Sequence, residues 1–149
     1  MKMSLEKKRR IVEACSTVGL ILICAGLVAP FAGSENATVL SLYKWIYTVG
    51  ALVYTVARMI DVNAPGDSMR LRRLRRMEMW AGFAFCIGAF FWFYNANRFA
   101  GFPFSLAVMN NTVMFTLAGA LIQIIASWMI ASAMRKEAGK QEESDNKKK

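Results

Sequence analysis

The stretch MRLRRLRRMEMWAGFAFCIGAFFWFY, residues 69–94, sets five arginines (Arg70, Arg72, Arg73, Arg75 and Arg76) directly before an almost wholly apolar run from Met79 to Tyr94. A basic run of that density, taken alone, suits a nucleic-acid grip, a nuclear address or an anchor at a membrane surface. The apolar run decides between them, because a helix of roughly 20 apolar residues crosses a hydrocarbon core of about 30 Å. With its polar ends this block extends over about residues 77–97, so the arginines fall where such a span meets the headgroups.

Three other blocks read the same way, at residues 11–31, 42–60 and about 104–134. The chain of 149 residues is 56% hydrophobic with a mean hydropathy of +0.32, and its apolar residues come in blocks rather than stripes. This predicts an all-α integral membrane protein, a four-transmembrane-helix bundle. Residues 1–10 are then a basic tail, 11–134 the transmembrane domain with an Arg-rich connection at 61–76, and 135–149 a disordered charged tail without apolar period. The last block is longer than a perpendicular crossing needs, so it should tilt or begin at the interface.

The net charge of +9 is informative through its placement. Apart from Lys44 and Arg98, every basic residue lies in the N-terminal tail, at Arg58 and in the arginine run, or from Arg135 onward. Four spans put those three regions on one side, and the positive-inside rule makes that side, with both termini, cytoplasmic. The expected location is a bacterial inner (plasma) membrane. Tyr43, Trp45, Tyr47, Trp92 and Tyr94 fall at outer span ends and Trp80 and Trp128 toward inner ends, as interfacial belts do. KKRR before an apolar run also opens signal peptides. Here the run is too long for an h-region and VAPFAGS holds no A-x-A site, so it reads as a retained first span.

Pro65 and Gly66 form a turn, and Asp67 or Ser68 can cap the helix that follows. In that helix Leu71, Leu74 and Met77 recur every third residue, a stripe that can lie in the headgroup boundary while the arginines reach lipid phosphate. Arg70, Arg72, Arg73, Arg75 and Arg76 are therefore expected headgroup contacts, each worth about 1 kcal/mol at an anionic surface. A docking site for an acidic partner is the sharper alternative. Nucleic acid is not an expected partner, because a short connection against a bilayer has no room for an aromatic platform or recognition fold.

Two echoes point to duplicated hairpins. FAG occurs at residues 31–33 and 99–101, and GALVYTVA at 50–57 resembles GALIQIIA at 119–126. Two hairpins of the same orientation follow, a parallel repeat about an axis along the membrane normal. In that register Gly50, Tyr54 and Arg58 match Gly119, Gln123 and Ser127, each set spaced by one helical turn. The sharp reading of Tyr54, Arg58, Gln123 and Ser127, with the acid Glu13, is an intramembrane polar pathway. The plainer one is packing by interhelical hydrogen bonds of on the order of 0.6 kcal/mol each. Gly19, Gly26, Gly50, Gly82, Gly88 and Gly119 supply small faces for close helix approach.

The inventory argues against several chemistries. There is no histidine, and Cys15, Cys24 and Cys86 form no C-x-x-C pair, so neither a metal nor another cofactor is expected. No nucleophile elbow or phosphate-cradling glycine loop is present. Glu13, one turn inside the first span, is the acid best placed for ion coupling, although Arg9 and Arg10 can pair with it. Asp61 and Glu78 fall at inner interfaces beside Arg58 and Arg75, which suits local ion pairing.

Four spans with an acid in the first resemble, in outline, the small multidrug-resistance transporters. That family's coupling glutamate lies deeper, its loops are tighter and its middle connection is not an arginine-rich helix, so the resemblance assigns no residue here. Three functions stay open. One is a non-catalytic scaffold or accessory subunit that packs with anionic lipid and a membrane protein partner or a second copy. Another is a small transporter or channel using the polar stripe, and the third is a lipid-acting enzyme at the cytoplasmic face with Asp61 or Asp67 as base. The scaffold is the expectation, since the third needs more than the residues offer and small faces ordinarily serve packing.

Overall fold

The computed structural model describes residues 5–28, 37–62, 67–98 and 106–146, which form α1 (Leu5–Val28), α2 (Ala37–Val62), α3 (Met69–Arg98) and α4 (Leu106–Asn146). Among the described residues there is no strand. Each helix holds a segment long and apolar enough to cross a membrane: Lys7–Val28, Ser41–Val62, Met69–Asn95 and Asn111–Lys140. The FAG copies, the Pro65–Gly66 turn and both connections at the far end lie outside the described residues.

Two boundaries differ from the sequence reading. The helix that the Asp67–Ser68 cap and the spacing of Leu71, Leu74 and Met77 imply starts at Met69 and runs unbroken into the apolar block, so the connection placed over 61–76 is shorter. Ser68 caps this helix: its hydroxyl accepts the N–H of Leu71 at 3.3 Å and its carbonyl that of Arg72 at 3.0 Å. Arginine, leucine and methionine are strong helix formers, so a capped run of them propagates. The charged tail is also helical as far as Asn146 rather than disordered from residue 135. Extending an existing helix fixes one residue per hydrogen bond with no new nucleus, and Lys136, Glu137 and Ala138 favour it.

The helices pack in chain order, α1 on α2, α2 on α3 and α3 on α4, as a four-helix bundle of antiparallel neighbours. Glycine sets the closest approaches. A Cβ on Gly26 would lie 2.8 Å from the Tyr47 nitrogen, and one on Gly50 would lie 2.9 Å from both the Gly19 oxygen and the Ile23 nitrogen. The α1 and α2 backbones therefore touch without side chains between them. Gly19 faces Tyr54, Gly82 faces Thr55, and Gly119 faces the Phe85 ring.

The core gathers Ile23, Tyr47, Ala51, Tyr54, Phe85, Ala89 and Trp92. Tyr47 and Trp92, read from sequence as interfacial belt residues, turn inward instead, with ring centroids 5.6 Å apart. Hydropathy locates a residue along a helix but not around it, and both sit on buried faces. Tyr47 is 0% exposed, and its hydroxyl occupies the space a side chain at Gly88 would need. It lies 2.6 Å from the Thr116 Oγ1, with the Phe85 carbonyl at 3.3 Å as the alternative acceptor. Thr116 donates its own proton to the Thr112 carbonyl at 2.7 Å, which leaves its oxygen free to accept from Tyr47. Tyr47→Phe should lower stability by about 1 kcal/mol in thermal unfolding in mild detergent; an unchanged midpoint would show that the hydroxyl contributes nothing.

A buried ion network at the basic end

Arg58 and Asp61 stand three residues apart in the last turns of α2, and Arg75 and Glu78 stand three apart near the start of α3. Antiparallel packing lays the two pairs side by side. Arg58 Nη1 lies 3.0 Å from Glu78 Oε2 and 3.7 Å from Asp61 Oδ2. Arg75 Nη1 bonds Asp61 Oδ2, while its Nε lies 2.6 Å from Asp67 Oδ2. Arg9 of α1 reaches the other oxygen of Asp67 at 3.2 Å.

The fourth helix joins through neutral groups. Gln123 Nε2 and Ser127 Oγ donate to Glu78 Oε1 at 3.3 and 3.1 Å. The Tyr54 hydroxyl donates to Gln123 Oε1, and the Arg58 guanidinium lies 5.5 Å from the Tyr54 ring centroid. One network thus takes side chains from all four helices and from Asp67, just before α3.

Its charge balance explains how it tolerates burial. The carboxylates of Asp61, Asp67 and Glu78 face the guanidiniums of Arg9, Arg58 and Arg75, so the cluster is neutral overall. The Asp61, Arg75 and Glu78 side chains are each 4% exposed, a position where a lone charge would be strongly destabilising. Arg9, on the outside, is 40% exposed.

The network redistributes the residues read from sequence. Arg58, Gln123 and Ser127 converge on Glu78, and Tyr54 joins them through Gln123. Glu13 does not join them: its side chain is exposed, and Arg9 extends to Asp67. Arg70, Arg72, Arg73 and Arg76 are exposed. Arg75 is a correction to the expected headgroup set, because it is buried and held by two aspartates. The stripe through Leu71 and Leu74 is corrected too. Both are buried on the face that continues through Glu78, Ala81 and Phe85, so the stripe meets protein rather than headgroups.

Asp61 and Asp67, weighed as bases for lipid chemistry, both hold Arg75. Cys86 lies 3.3 Å from the Thr55 hydroxyl, and Cys15 and Cys24 are exposed. Among the described residues no group of three or more His, Cys, Asp or Glu is placed to hold a metal ion. The sequence reading missed Glu78 as the hub. Its signal was the paired Arg and acid at a spacing of three on both sides of one short connection. Comparison of the chain with protein-family models, curated proteins and solved structures finds no match.

Proposed function

We propose that this chain is an integral protein of a bacterial inner membrane, with both termini and the arginine run cytoplasmic, that acts without catalysis as a scaffold or accessory subunit. The observation that carries this reading is the charge balance of its buried network. Each acid of the buried network is matched by an arginine, which is how a structural lock is built and not how a reactive acid is presented.

The surface supports the membrane part. Val18, Ile21 and Val28 on α1 and Leu117, Leu121, Ile124 and Ile125 on α4 are about half exposed or more, an apolar area that suits lipid or a partner helix and not water. Exposed arginines at one end agree with a cytoplasmic, anionic headgroup layer. Two contacts also fit the proposed repeat. Tyr47–Thr116 and Tyr54–Gln123 both join residues 69 positions apart, the separation of Gly50 from Gly119. Contact between equivalent residues would put the pseudo-two-fold axis between α2 and α4.

Native mass spectrometry after extraction into native-lipid nanodiscs tests the role. The expected result is a second, foreign membrane chain at fixed stoichiometry. A lone chain, whose deletion leaves every membrane complex intact, would overturn the scaffold. A lone monomer or dimer carrying a small ligand would favour the transporter reading, whose specific support is the buried Arg58 Nε, without a hydrogen-bond partner among the described residues.

A further inference from the structure

At the basic end, α4 runs past the start of α3, and Ser68 donates to Glu137 at 2.6 Å where the two meet. Three shallow grooves lie around this end and share residues. One is lined by Met69, Arg70, Arg73, Leu74 and Met129. The next holds Arg70, Lys136 and Lys140, with Glu137, whose carboxylate is engaged by Ser68. The third runs along α4 from Lys136 and Arg135 to Ala131 and Trp128. Arg70 links the first groove to the second and Lys136 links the second to the third, so a basic centre is flanked by apolar floors on both sides.

We propose that this belt is a binding site for one anionic phospholipid carrying two phosphates, taken from the surrounding leaflet. Arg70 with Arg73 faces one phosphate and Lys136 with Lys140 the other. Acyl chains descend on either side, over Met129 and over Ala131 and Trp128. Charge complementarity selects the occupant: these four cations are exposed and absent from the ion pairs of the buried network, unlike Arg75. Trp128 is 75% exposed, as suits an indole at the boundary between headgroups and chains. The inference rests on the membrane reading, but it adds a discrete site where a diffuse basic surface would have sufficed.

The test is native mass spectrometry of the full chain in detergent, titrated with diphosphatidylglycerol, phosphatidylglycerol or phosphatidylcholine at matched total lipid charge where charged. One diphosphatidylglycerol should be retained per chain in preference to the others. Arg70→Ala and Lys136→Ala should each weaken retention about five-fold, while Arg72→Ala, exposed but outside the grooves, should leave it unchanged. Thermal unfolding without added lipid checks that the variants fold alike. Equal retention of phosphatidylglycerol, or equal losses from Arg70→Ala and Arg72→Ala, would overturn the site. A chain that leaves membranes in an alkaline wash would instead overturn the membrane reading itself.

Discussion

Replacing Arg75 with methionine should cost the fold about 3–5 kcal/mol, the largest loss expected from any one side chain of the network. Methionine keeps much of the apolar stem, so packing changes little and the effect isolates the charge. What remains is Asp61 and Asp67, with side chains 4% and 8% exposed, facing each other across the place the guanidinium occupied. Arg58, 3.7 Å from Asp61 and already held by Glu78, can compensate only in part. Equilibrium unfolding in mixed micelles would measure the loss. Arg72→Met, on the exposed face of the same helix, should stay within about 0.5 kcal/mol of the parent. Adding Asp61→Asn and Asp67→Asn to Arg75→Met should recover most of the stability, because neutral amides carry a far smaller burial penalty than stranded carboxylates. An Arg75→Met variant as stable as the parent would show that the two aspartates do not depend on the arginine, and the network would then not be an ionic lock.

That Arg75 differs from its four neighbours was legible, though only to a period finer than hydropathy. Leu71, Leu74, Arg75 and Glu78 fall at i, i+3, i+4 and i+7, the repeat of one helix face, and all four are buried. Counting arginines as a block hides this. The long apolar blocks, by contrast, needed no phase: their length and composition alone mark four helices, and each of α1 to α4 holds one apolar segment of spanning length. What composition cannot supply is rotation about each axis. Tyr47 and Trp92 stand at plausible belt depths yet point into the core. Glu13 shows the converse, an acid within a span whose side chain faces outward. The helical extension to Asn146 was illegible for another reason, since a polar helix leaning on one already formed has no apolar period of its own.

Gly26→Leu should release α1 from the rest of the bundle while α2, α3 and α4 stay together. A Cβ at this position lies 2.8 Å from both the nitrogen and the Cβ of Tyr47, and backbone cannot rotate away as a side chain tip could. Leucine adds three further carbons in the same direction, so the α1 and α2 axes must separate, losing the contacts at Gly19 and Gly50 as well. The extensive contacts of α1 are with α2, and the Arg9–Asp67 pair, with Arg9 40% exposed, adds only a weak tether at the basic end. The expected loss is about 3 kcal/mol, the upper part of the overpacking range, because backbone atoms form the obstacle. Hydrogen exchange should then rise along α1 while the α3–α4 pair keeps its protection. Ala25→Leu is the matched control: it adds the same kind of bulk one residue away on an exposed face, and should leave exchange unchanged. If both variants, or neither, loosened α1, close approach at Gly26 would not be what holds the first helix. The Arg9–Asp67 pair at its basic end would then be the next contact to remove.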